Sequence, residues 1–255
     1  MKLFILGLML TGSISIAGAP TAPNATSGQH ILDAVVARLP QQPMTVNGDI
    51  VVRKRRGVVL HEFRFEVALD WGSDPATARY TIMDPFGSEL EQFTVRHDSA
   101  SGTQFEHSMK EKASPPNAVA LHSRIQQTDM TWADLTLSFL WWPGGNVVGT
   151  DSIRGRQCFV IDVPAPRASE AAMRSSPGGT TTPYTTVRLW IDSELLMLIQ
   201  AQGQDANGEP IRKLWVDSLK KIDGQWMIKD LEVQSYPSRH RTRLRIREIS
   251  AAASS

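Results

Sequence analysis

The sequence predicts a mainly β fold: a large antiparallel sheet curling around an apolar interior, capped by an N-terminal helix and a short central helix. Three observations carry this. From Met44 onward, apolar residues recur at every second position for most of the 255-residue chain, which is the side-chain period of a β-strand. Only two stretches change to the three-to-four spacing of a helix. Reversal chemistry at Asp84-Pro85-Phe86-Gly87, Asn207-Gly208 and Asp223-Gly224 joins neighbouring runs closely enough for antiparallel pairing.

The chain opens with "MKLFILGLMLTGSISIAGAP", one lysine and an apolar run broken by small residues, which reads as a secretory signal peptide over residues 1–17 with cleavage after Ala17. Glycines and serines interrupt the run, so it is weak for spanning a bilayer, and no transmembrane segment is expected after cleavage. The chain is therefore expected to be exported. Residues 18–27 form a Pro/Thr/Ser/Asn linker. Cys158 is the only cysteine, so no internal disulfide can form and stability must come from packing. Its place in the alternating "RQCFVIDV" predicts a buried, inert thiol.

In "GQHILDAVVARLP", Ile31, Leu32, Val35, Val36 and Leu39 have helical spacing, and Pro40 stops the helix. Two strands then flank a Lys54-Arg55-Arg56-Gly57 turn, the second placing Phe63, Phe65, Val67, Leu69 and Trp71 on one face. Further strands are predicted in "ARYTIMD", "ELEQFTVRHD", "NAVALHSRI", "RQCFVIDVP", "YTTVRLWID", "LLMLIQAQ", "PIRKLWVDSLKKI", "QWMIKDLEVQS" and "RTRLRIREI", about ten strands sharing one core. The second helix is expected in "TDMTWADLTLSFLWW", capped by Thr128 or Asp129 and ended by Pro143-Gly144-Gly145. Residues 165–183 lack any core pattern and read as an inserted loop. Residues 28–250 then make a single domain, and residues 251–255 a tail.

Function is narrowed mostly by what the sequence lacks. A formal charge of +1 gives no global basis for binding nucleic acid, and an exported chain has no use for it. No nucleophile elbow, zinc-binding helix motif, phosphate-cradling glycine loop or Cys/His cluster occurs. His61-Glu62, Arg96-His97-Asp98 and Glu106-His107 read as surface pairs on strands. No catalytic residue, metal site or cofactor is therefore expected. Phe63, Phe65, Val67, Phe86, Trp132, Leu135, Phe139, Trp141 and Trp142 read equally as the lining of a lipid cavity or as a solid core. Adjacent Trp141 and Trp142 cannot both enter one core, which places one of them at a rim.

The last strand carries Arg239, Arg241, Arg243, Arg245 and Arg247 at every second position, so their guanidinium groups stand on one face. A hairpin around Tyr236-Pro237-Ser238 would set Glu232 opposite Arg241 or Arg243, with Asp230 two residues further along. Two carboxylates would leave surplus positive charge outside the sheet. That surplus suits either a charged strand protecting a sheet edge or a patch facing anionic headgroups or an acidic partner.

The strings "TDMTWADLTLSFLWWPGG", "IRGRQCFVIDVPAP", "YTTVRLWID" and "GEPIRKLWVDSLKKIDGQWMIKDLEVQ", in that order, resemble the bacterial outer-membrane lipoprotein-sorting proteins, the LolA/LolB-like group. The likeness runs from about Gly28 to Ile249 and marks a divergent member. It implies an incomplete antiparallel β-barrel whose open side is closed by helices, and a non-enzymatic carrier holding acyl chains of lipoprotein or lipid in the periplasm of a Gram-negative-type bacterium. The carriers' lid-holding arginine, in a Trp-basic-Arg-Pro stretch, has no counterpart in "ARYTIMDPFGSELEQF". The alternative is an envelope sensor or assembly protein with this fold, a solid interior and envelope-protein partners.

Overall fold

The computed structural model describes residues 27–54, 57–100, 102–110, 112–113, 120–166, 184–222, 224–236 and 238–251. The expected signal peptide, the linker up to residue 26, and residues 167–183 of the expected insertion lie outside the described residues, as do Arg55, Arg56, Asp223 and Pro237 of the expected turns.

Helix α1 (Gly28–Val36) starts where the Ser27 side chain accepts a hydrogen bond from the His30 amide, satisfying one of the orphan donors of the first turn. It buries Ile31, Leu32 and Val35. The helix ends before the expected Pro40, because Arg38 and Leu39 donate to carbonyls three residues back and tighten the chain. Its first residue touches the far side of the fold: a Cβ on Gly28 would fall 2.6 Å from the Gly145 carbonyl carbon. Gln29 Oε1 also accepts the Gly144 and Gly145 amides.

Among the described residues, thirteen strands form one sheet. They are β1 (Met44–Arg53), β2 (Val59–Asp70), β3 (Ala76–Met83), β4 (Glu89–Asp98), β5 (Gly102–Met109), β6 (Lys112–Ala113), β7 (Asn146–Ile153), β8 (Arg156–Pro164), β9 (Thr186–Asp192), β10 (Leu198–Gln204), β11 (Pro210–Ile222), β12 (Gln225–Ser235) and β13 (Arg241–Ala251). Their order is β6-β5-β4-β3-β2-β1-β13-β12-β11-β10-β9-β8-β7. All neighbours are antiparallel, so the sheet is two sequential meanders joined where the first strand meets the last. β6 and β7 are its two ends and do not pair with each other, which makes the barrel incomplete. Between them in sequence, α2 (Trp132–Thr136) and the 3-10 turns Ala120–His122 and Ser138–Trp141 supply much of the helical cover.

Several expectations change. β5, β6 and β7 lie outside the strands the sequence predicts, because β5 and β7 are mostly exposed and carry no apolar alternation. The expected strand "NAVALHSRI" is, over its described part, a 3-10 turn and a single bridge from Arg124 to Thr131. Leu121 and Ile125, four apart, are both buried, a spacing that a strand face and a helical face share, so the apolar pattern alone does not separate the two. α2 is capped by Thr131, not Thr128 or Asp129: the Thr131 side chain and the Asp134 side chain satisfy each other's backbone amides in a capping box.

The arginine strand pairs as expected, Glu232 opposite Arg243 and Asp230 opposite Arg245, but its setting differs. β13 lies inside the sheet between β1 and β12, so it protects no edge. Arg239 sits in the turn at φ 56 and is not part of the ladder. The positive surplus is also absent: Arg241 meets Glu232 at 3.4 Å, Arg243 meets Asp217 at 3.0 Å, Arg245 meets Asp230 at 2.8 Å, and Arg247 meets Asp49. Asp217 is available because the β11–β12 register slips between Val216 and Leu219, leaving Asp217 and Lys229 out of the pairing.

The inner face holds the main core, including Ile50, Phe65, Ile82, Phe93, Ile161 and Leu189. Cys158 and Val160, which alternate with core residues Ile161 and Val163, point to the other face and form a small cluster with Trp190 and Ile199. Burial raises the Cys158 thiol pKa, in keeping with the inert role expected of it.

Candidate functional site

A cavity of about 220 Å³ lies between the inner face of the sheet and the helical cover, somewhat below the roughly 300–1,000 Å³ usual for ligand pockets. Its sheet wall is built by alternation. Phe65 and Val67 on β2, Leu231 on β12 and Leu244 on β13 all project inward from neighbouring strands. The cover contributes Val35 from α1, Leu135 from α2 and Leu140 from the following 3-10 turn. A close approach brings the floor together: Phe65 lies over Gly48, where a Cβ would come within 2.5 Å of the ring.

The mouth is formed by three segments brought together by topology. These are the end of the α1 region (Arg38, Leu39, Pro40), the β9–β10 turn (Leu196, Met197) and the β11–β12 hairpin (Trp226, Met227). Arg38 Nη1 donates to the Leu195 carbonyl at 2.8 Å, and Gln225 Nε2 donates to the Arg38 carbonyl at 2.7 Å. Arg38 is the one charged residue in the walls among the described residues. Everything else there is apolar or aromatic, so the cavity can hold a hydrophobic chain by burial alone.

Of the residues singled out in the sequence, Phe65, Val67 and Leu135 line this cavity. Phe63 is buried in the adjoining core. Trp132 is fully buried, stacked on Phe93 at 4.7 Å, and Phe139 is buried beside Asp134 and Tyr184. Trp141 and Trp142 point apart. Trp142 packs edge-on against Phe139 in the core, while half-buried Trp141 stacks on Trp71 at 5.5 Å beside a separate surface hollow. Phe86 is a correction: it is 92% exposed at the tip of the β3–β4 turn and lines nothing, since the Asp84 side chain closes that turn on the Phe86 and Ser88 amides and leaves its apex outside.

Sequence reasoning missed the polar groups that fasten the cover. Arg212 on β11 reaches the first turn of α2, with Nη1 2.7 Å from Asp134 Oδ2 and 3.2 Å from Thr131 Oγ1. Burial opposes the Arg212 charge, yet the facing Asp134 raises the guanidinium pKa above its ordinary value. Tyr184 packs its ring under the same guanidinium at 5.7 Å, and burial pushes its phenol up. Buried Asp129 is held from β13 and the turn before it: its amide donates to Thr242 Oγ1, and Ser238 Oγ donates to its carboxylate. His107 does not pair with Glu106. It meets buried Glu91 across the β4–β5 ladder at 3.0 Å, and Glu91 also accepts the Gln126 amide. The only sequence signal for any of this is the Thr131/Asp134 capping spacing.

Residues 116–254 match the model of a protein family described as uncharacterized. No curated protein matches the chain in sequence. Among solved structures, it is similar to a DUF1329 family protein from Desulfovibrio piger, with TM-score 0.69 and 14% identity over 89% of this chain and 93% of that one. A domain from Vibrio parahaemolyticus assigned to outer membrane lipoprotein sorting gives TM-score 0.68 and 11% identity over 89% and 93%. A LolA superfamily protein from Nitrosomonas europaea gives TM-score 0.65 and 15% identity over 91% and 96%. These likenesses place the fold among LolA-like curled sheets. Among the described residues, no helix is long and apolar enough to cross a membrane.

Proposed function

With the chain belonging to the uncharacterized protein family whose model spans residues 116–254, and with a LolA-like fold, we propose that it is an exported carrier that binds acyl chains of lipid or lipoprotein in the periplasm. No covalent step is part of this reading. The observation that supports it best is the cavity beneath the helical cover, whose described lining is apolar or aromatic except for Arg38 at its mouth. Each methylene moved from water into such a site contributes about 0.8 kcal/mol. About ten methylenes therefore give roughly 8 kcal/mol, which corresponds to micromolar affinity before ordering costs.

Release would follow movement of the cover, which touches the sheet through few polar anchors. The two similar structures with sorting or LolA descriptions lend the class of cargo. The test is to titrate the exported protein with a fluorescent acyl probe and to extract lipid from protein purified out of the envelope. Saturable probe binding and co-purifying acyl lipid are expected. Absence of both overturns the proposal in favour of an envelope interaction protein whose cavity stays empty.

A further inference from the structure

The mouth of the cavity is not apolar in the way its depth is. Arg38 stands in the wall with one guanidinium nitrogen donating to the Leu195 carbonyl. A guanidinium carries five N–H donors, and the rest of this fork meets no hydrogen-bonding or ionic partner among the described residues. Lys221 is the second cation: its Nζ lies 5.9 Å from the centroid of the Trp226 ring, and Trp226 is 40% exposed in the same mouth. Among the described residues, no carboxylate makes an ion pair with Arg38 or Lys221. Asp192 is taken by Arg156 and by the Glu194 and Leu195 amides, Asp33 accepts from the Gln29 side chain, and exposed Glu194 makes no ion pair with Arg38. Positive charge that no described carboxylate matches, set above an apolar cavity, is complementary to a molecule with one anionic end and one apolar end.

We infer that the ligand is an anionic amphiphile, its tail in the cavity and its carboxylate or phosphate held at the mouth by the Arg38 guanidinium, with Lys221 beside it. This rests on the acyl-binding reading above and adds the chemistry of the head. A planar guanidinium matches either anion through paired N–H donors. A neutral ester or alcohol head gains nothing from the charge.

The experiment compares a fluorescent polyene fatty acid with its methyl ester, and a monoacylglycerol phosphate with the monoacylglycerol in displacement, all on the full exported protein. At low ionic strength the anionic member of each pair is expected to bind about fivefold more tightly, a partly exposed charge contact, with the gap narrowing as salt is added. Arg38→Gln should remove the preference and keep ester binding, and Arg38→Lys should retain most of it. A larger preference in the fatty-acid pair points to a free carboxylate as the natural head, and in the phosphate pair to a phospholipid fragment; either supports the inference. Equal affinity for acid and ester in the unaltered protein, insensitive to salt, overturns it while leaving the acyl carrier intact. Binding of none of the four overturns the carrier reading itself. Should Arg38→Gln fail to fold, the salt dependence of the unaltered protein decides the question alone.

Discussion

Arg212 Nη1 and Asp134 Oδ2 lie 2.7 Å apart, joining β11 to the first turn of α2 with both side chains almost completely buried. The pair does two jobs at once. It neutralises a guanidinium beneath the cover, and it holds the carboxylate that caps α2. Removing one member strands the other in a medium of low polarity.

Arg212→Met is therefore expected to cost about 3 kcal/mol in urea unfolding, within the usual range for breaking a buried pair. Combining it with Asp134→Asn, which keeps a capping acceptor but removes the charge, should cost less than the sum of the two single changes. Additive losses would mean that the two side chains do not act together.

His122 supplies a pH dependence. Burial lowers its pKa from 6.5 to about 4, while Asp134 pulls it up and Arg212 pushes it down. The folded state thus refuses a proton that the unfolded chain accepts below pH 6.5. Stability from this group is full above that pH and is lost as pH falls toward 4, by about 3 kcal/mol in all. Denaturation midpoints measured from pH 7 to 4 should fall more steeply for the unaltered protein than for His122→Phe, which keeps ring packing against Trp142 and Tyr184. Parallel curves would show that His122 titrates normally in the fold.

Strand identity was legible where one face is buried and the other wet. β8, β11 and β12 begin and end where the alternation of "RQCFVIDVP", "PIRKLWVDSLKKI" and "QWMIKDLEVQS" begins and ends, and face matching alone set Asp230 and Glu232 against the arginine strand. β7, at the edge, has little to bury and so leaves no such trace. The site was legible only as composition. Phe65, Val67 and Leu135 could be named, but nothing local marks Arg38 as the cation of the mouth, because the mouth is assembled from three distant segments. The Arg212–Asp134 contact spans 78 residues, beyond the reach of any periodic pattern.

The arginine ladder predicts unequal substitutions. Asp230 is buried, with its carboxylate between the Ser218 hydroxyl and the Arg243 and Arg245 guanidinium groups. Changing Arg243 and Arg245 together to Gln leaves that carboxylate with neutral donors only and is expected to cost about 2 kcal/mol, less than for a fully dry pair because both arginines are partly wet. Arg247→Gln, at an exposed contact with Asp49, should change stability by less than about 1 kcal/mol. Equal effects in thermal or urea unfolding would remove the distinction drawn between the two ends of the ladder.

Phe65 and Glu66 are adjacent on β2 but face opposite ways, Phe65 at 2% exposure against the cavity and Glu66 in solvent. Glu66→Lys should leave unfolding within about 0.5 kcal/mol of the unaltered protein. Phe65→Ala removes a ring that both packs the core and forms a wall of the cavity. A cost of about 3–4 kcal/mol is expected, from lost burial and from the space left behind. Gly48 lies under the ring and offers no side chain to refill that space, so the cavity should widen rather than collapse. If acyl chains occupy it, Phe65→Ala will shift the preferred probe toward longer or bulkier chains even as the protein becomes less stable. The check is a series of acyl probes of increasing length, titrated at a temperature where both proteins are folded. Unchanged length preference together with the expected loss of stability would mean that the chains bind elsewhere and that Phe65 is a core residue alone.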